Sequence, residues 1–166
     1  MKLIGKGTFT KCYLNDDGKT VTLFSSDPIK ECMANGWFPR SRLFPKITYD
    51  NSNECYRMEY YPKVTSLKTS LTTAHYTIYK ELKEVADICA PRNPYEWYVF
   101  WYERFETLIT NKRVKEALLE ALDACTNYGH DIGFEVSPGN VAVKKGKLVL
   151  LDCFFMREHL IKVCGG

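Results

Sequence analysis

Two regimes of hydrophobic patterning divide the chain. Up to about residue 61 apolar and polar positions alternate in short runs, and from about residue 72 the apolar positions recur at helical spacing. In "FTKCYLNDDGKTVTLF" the alternation breaks at "NDDGK", a turn sequence that predicts a hairpin. In "SDPIKECMANGW" Asp27 stands as N-cap, Pro28 at the first helical position and Gly36 where a helix stops, which predicts one short helix. "PKITYDNSNECYRMEYYP" returns to strand character around the polar turn "DNSN". Residues 1–61 are therefore expected to form four or five strands and one helix, closed by Pro62.

Residues 62–166 are expected to be mainly helical. Ile78, Leu82, Val85 and Cys89 fall on one stripe before "CAPRNP" breaks the pattern. Trp97, Trp101, Phe105 and Leu108 mark a second helix, and Val114, Ala117, Leu118, Ala121 and Leu122 a third over roughly 112–128. An aromatic stripe at this spacing is core before it is a platform for nucleic-acid bases. "NVAVKKGKLVLLDCFF" reads as strand, "KKGK" turn and strand, with Asp152 at the exit. The fold class is α+β, a β-rich lobe followed by a helical lobe with a late hairpin and a cleft between them.

Composition narrows the function classes. A net charge of +3 on 166 residues, with no block of like charges, argues against a nucleic-acid partner on charge grounds. The seven cysteines are scattered, without metal-ligand spacing, and read as buried reduced thiols. The start of the chain lacks the apolar run of a signal peptide and no apolar stretch is long enough for a membrane span, so the expected location is the cytoplasm.

Polar residues carry the candidate chemistry. Gly5 and Gly7 lie between two predicted strands, where missing side chains let backbone N–H groups approach phosphate oxygens or simply ease a turn. Asn140 and Asp152 are hard oxygen donors on either side of the late hairpin, suited to magnesium, which bridges phosphates, and the Glu135 carboxylate is of the kind that orients an acceptor hydroxyl and takes its proton. Read singly, Asn140 after "PG" is a turn residue and Asp152 a cap.

Taken together and in order, "GKGTFTKCY", "MEYYP", "EVSPGN" and "LLDCFF" resemble the glycine-rich loop, hinge, catalytic loop and metal-binding Asp of protein-kinase-like phosphotransferases. "SPGNVAVKKGKLVLLD" is similar to the catalytic loops of the small early protein kinases of podophages and of aminoglycoside-type phosphotransferases. The resemblance spans residues 3 to about 155 and implies a reduced bilobal fold. It further implies ATP and Mg²⁺ as cofactors. Gly5, Gly7, Thr8 and Phe9 would cover the phosphates and Cys12 would face the adenine. Met58 would gate that pocket, with the backbone of Glu59 and Tyr61 on the adenine edge. Asn140 and Asp152 would hold magnesium, and Glu135 would stand in place of the catalytic base.

Three departures shape the functional expectation. The third strand, "TVTLF", has Leu23 or Phe24 where the family carries a phosphate-contacting Lys, which leaves Glu31 of the short helix without a partner. Lys6 at the loop tip is the better substitute, since strand alternation turns Lys11 away from Cys12. The base position is Glu rather than Asp, a displacement of about 1 Å that can cost roughly 10²-fold in rate. Phe154 takes the third place of the "D-F-G" triplet with a short remainder after it, so the usual substrate platform is expected to be missing. The resemblance and the departures together imply a phage-type pseudokinase that binds and modulates a host protein, with weakened or lost ATP and Mg²⁺ binding. The alternative is a minimal Mg-ATP-dependent serine/threonine protein kinase acting on host proteins.

Overall fold

The computed structural model describes residues 1–165. Strands β1 (Lys2–Lys6), β2 (Thr10–Leu14), β3 (Thr20–Ser25), β4 (Thr48–Asp50) and β5 (Cys55–Glu59) form an antiparallel sheet in the order β1-β2-β3-β5-β4. The β2–β3 turn is the expected one. Gly18 there has φ of +66°, a value that favours glycine, and Asp17 Oδ1 accepts from the backbone N–H groups of Lys19 and Thr20. Between β3 and β4 lies helix α1 (Pro28–Ala34), capped by Asp27, whose Oδ1 accepts from Ile29 N at 2.9 Å.

The second half begins with a single turn, α2 (Leu67–Ser70), and continues through α3 (Thr73–Ala86), α4 (Trp97–Leu108) and α5 (Lys112–Cys125). The expected stripes are buried at Ile78, Leu82, Val85, Trp101, Phe105, Leu118, Ala121 and Leu122. Cys89 is a correction. The α3 helix stops at Ala86, so this thiol leaves the stripe and is exposed, as is Cys164. All seven cysteines are free. The α5 helix ends three residues before the expected limit and tightens into a 3₁₀ turn over Thr126–Tyr128.

Four short strands and a last helix follow: β6 (Ile132–Phe134), β7 (Val141–Lys144), β8 (Lys147–Leu150), β9 (Phe154–Met156) and α6 (Arg157–Cys164). The β7–β8 hairpin is the predicted one, closed by Lys145 and Gly146 at positive φ. Antiparallel pairing of β6 with β9 requires Gly133, because a Cβ there would enter the ring of Phe155.

One hydrophobic core runs through both halves. Ile29 and Met33 of α1 and Leu43, Phe44 and Ile47 of the following segment join Leu82, Trp101, Phe105, Leu118, Phe134 and Phe154 in one cluster. By packing, α1 thus belongs with the helices as much as with the sheet that precedes it. Among the described residues no helix is long and apolar enough to cross a membrane.

Candidate functional site

Two backbone links assemble the C-terminal side of the site. Glu135 N donates to Cys153 O at 2.8 Å, and Asn140 O accepts from Leu151 N at 2.8 Å and from Asp152 N at 3.4 Å. These bonds lay the segment 135–140 along the segment 151–153. Glu135 is exposed, Asn140 sits in a 3₁₀ turn over Pro138–Asn140, and the Asp152 side chain is 41% exposed. Burial pushes up the thiol of Cys153, and the Asp152 carboxylate beside it adds to the shift.

From the other side comes a residue that no sequence motif marks. Lys30, on α1, is 4% exposed, and its Nζ donates to Leu151 O at 3.1 Å and lies 3.4 Å from Asp152 Oδ1. Ile29 and Met33 anchor one face of α1 in the core, which turns the adjacent Lys30 inward. Asp27, one helical turn before Lys30 and 2% exposed, completes the group. Its Oδ1 caps α1, while its Oδ2 is buried with no hydrogen-bond partner. Desolvation raises the Asp27 carboxyl to about 6. The Lys30 ammonium opposes that rise, and the Asp152 carboxylate adds to it. Two carboxylates and one ammonium therefore face one another in a partly dry setting. Burying such a group is costly and adds little stability, which makes it a candidate for function.

The glycine-rich segment runs from β1 into β2. Gly5 stands opposite Cys12 across a bulge in β1, and Gly7 N donates to Thr10 O at 2.8 Å. Neither glycine has positive φ. An added Cβ would lie 3.7 Å from Cys12 Cβ at Gly5 and 3.9 Å from Thr10 O at Gly7, both ordinary contacts. Turn geometry thus does not demand these glycines, and the surrounding chain would accept a side chain at either. Thr8 is exposed. Phe9 packs against His159 of α6 with ring centroids 4.8 Å apart, and His159 Nε2 also lies 3.3 Å from Ser26 Oγ. The Cys12 thiol is raised by burial and pulled the other way by Lys30, whose charge reaches it. Lys6 is exposed at the end of β1 opposite Lys11, in register with another cation rather than with an acid.

At the far end of the sheet, Met58 is half-buried and pairs with Val21, and Tyr61 is half-buried. The Glu59 side chain binds Lys144 Nζ at 2.6 Å, joining β5 to the β7–β8 hairpin. Glu31 is exposed on α1, so the inward charge of that helix is the cation at position 30.

The donor set suits phosphate more readily than a bare metal. Lys30 offers an ammonium, and the orphaned Asp27 Oδ2 marks a polar space, but Asp152, the carboxylate expected to hold magnesium, already faces that ammonium. Among the described residues no three His, Cys, Asp or Glu side chains are grouped to hold a metal ion. Asp152 and Asn140 carry side-chain oxygens of the kind that suit magnesium, and the backbone bond from Asp152 N to Asn140 O brings the two residues together. No protein-family model matches the chain, and no curated protein matches it significantly.

Proposed function

We propose that this chain is a kinase-like module that holds a magnesium nucleotide weakly and acts through contact with another protein, a host protein as the resemblance to podophage enzymes implies. The observation that carries the reading is the buried Lys30 ammonium between Leu151 O and Asp152 Oδ1. It supplies from α1 the positive charge that the third strand lacks, next to the segment where phosphates would lie under Gly5 and Gly7. The strand order β1-β2-β3-β5-β4, the helix between β3 and β4, and the β6, β7–β8, β9 sequence around Asn140 and Asp152 support the same reading.

Two features favour binding over transfer. Magnesium must compete with Lys30 for Asp152, which weakens the metal that a phosphoryl transfer needs. Phe9, between β1 and β2, is engaged by His159 of α6. The second reading, a minimal serine/threonine protein kinase, is favoured by the same lysine, because Glu135 then has a charged phosphate site across from it.

The double variant Glu135→Ala with Asp152→Asn separates the two, since it removes base and metal ligand while leaving an acceptor for Lys30. Partner binding and cellular effect are expected to persist in it. Robust phosphate incorporation by the native chain, lost together with the cellular effect in a folded double variant, would establish the kinase instead.

A further inference from the structure

A concavity of about 680 Å³ shares no residue with the Lys30–Asp152 group. Four cations from three separate parts of the chain line it: Arg40 and Arg42 between α1 and β4, Arg113 in the first turn of α5, and Lys147 at the start of β8. All four are exposed, and among the described residues none makes an ion pair within 4.0 Å. Glu116 and Glu120 are the two carboxylates on the wall. Four cations against two acids leave an excess of two positive charges in one cavity, on a chain whose whole net charge is +3.

The walls are tied together. Leu150 N donates to Leu43 O at 2.7 Å, fixing the arginine-bearing segment to β8. Leu148 N donates to His75 Nδ1 at 3.0 Å, fixing β8 to α3, and Thr72 N donates to Gly146 O at 2.9 Å. With Nδ1 accepting, a neutral His75 carries its proton on Nε2 as a further donor. Desolvation, then Lys147, lowers its pKa and keeps it neutral. Asn111 caps Val114 N at 3.1 Å, which leaves the N–H groups of Lys112 and Arg113 without an intrahelical acceptor at this end of α5.

We propose that this concavity binds a phosphoryl group, carried on a peptide or on a small phosphorylated molecule. The excess of two positive charges matches a phosphomonoester, which carries about −1.5 to −2 at neutral pH. Guanidinium groups present planar paired donors that fit its oxygens, and a single carboxylate would leave the excess half-neutralised. A long polyanion is disfavoured because Glu116 and Glu120 interrupt the positive surface. This inference stands without the kinase-like reading.

The test is titration of the full chain with inorganic phosphate, a phosphoserine peptide and the same peptide unphosphorylated, followed by calorimetry and by the backbone amide shifts of Lys112 and Arg113. Those amides are expected to move with both phosphorylated probes. The double variant Arg42→Gln with Arg113→Gln should weaken binding by about tenfold or more, as loss of hydrogen bonds to a charged group does. The exposed Lys68→Gln should leave it unchanged, and circular dichroism confirms that both variants are folded. A phosphopeptide that binds more tightly than free phosphate points to a phosphorylated protein segment, and equal affinity to a small molecule. Still amides with both probes, unaltered affinity in the double variant, or equal binding of the unphosphorylated peptide overturns the proposal. So does a single-stranded oligonucleotide that outcompetes the phosphopeptide through the same two arginines.

Discussion

Asp27 is where burial and charge conflict most sharply. Its carboxyl is raised from the usual 3.8 to about 6 by desolvation, so the folded chain binds this proton more tightly than the unfolded chain does. The stabilising effect is fully present below about pH 3.8 and is lost as pH rises through about 6, leaving an ionised, partly unsatisfied carboxylate at neutral pH. Asp27→Asn keeps the oxygen that caps α1 and places an amide donor beside Asp152, imitating the protonated acid. The variant is expected to be more stable than the native chain at pH 7.5, by up to about 3 kcal/mol for a shift of this size. The difference should shrink toward pH 4.5. Thermal melts across that range check it, and a variant less stable at both ends contradicts it. Lys30 itself was not legible in the sequence. Lysine is almost never fully buried unless paired, and the Asp27–Pro28 start and Gly36 stop predict α1 without saying which of its faces is buried. The one available signal was the acid three positions before it, and the N-cap role of Asp27 absorbed that signal.

Legibility at the level of elements followed the strength of local chemistry. The "NDDGK" and "KKGK" turns, the Asp27–Pro28 start of α1 and the stripes of α3, α4 and α5 state their own geometry, and each appears where the pattern places it except at the C-terminal ends of α3 and α5, where Cys89 falls outside the helix and a 3₁₀ turn replaces the last residues. Strands β6 and β9 are three residues each and fully or largely buried, so no alternation marks them. Their pairing rests on a partner some twenty residues away. Helix α6 is likewise set from a distance, because Asp131 caps it through Oδ2 to Glu158 N at 2.7 Å and through its carbonyl to Arg157 N at 2.9 Å. Two substitutions test this register. Gly133→Ala should destabilise the chain by about 1–3 kcal/mol, since its methyl meets the Phe155 ring. Trp101→Phe leaves Ile132 O without the indole donor that now reaches it at 2.7 Å and should cost about 1–3 kcal/mol. Urea denaturation midpoints measure both, and a shift below about 0.5 kcal/mol in either argues that β6 is held some other way.

The α+β class, the early sheet and the later helices were readable because each half has its own periodicity. The shared core was not, since nothing in local spacing says that α1 and residues 43–47 pack among helices far along the chain. That sharing is what carries Lys30 across to Asp152, and on it rests the proposal that α1 supplies the phosphate-contacting cation. By comparison the Lys144–Glu59 bridge between the halves is half-exposed at both ends, and Lys144→Ala should change stability by less than about 1 kcal/mol in a denaturation series. Calorimetric titration of Mg-ATP into the native chain, Lys30→Met and Lys6→Met decides whether Lys30 has this role. Weak, magnesium-dependent binding to the native chain, weakened about tenfold to a hundredfold by Lys30→Met and unaltered by Lys6→Met, is the expected result. Binding that ignores Lys30 and depends on Lys6, or no heat with any of the three folded proteins, would contradict it.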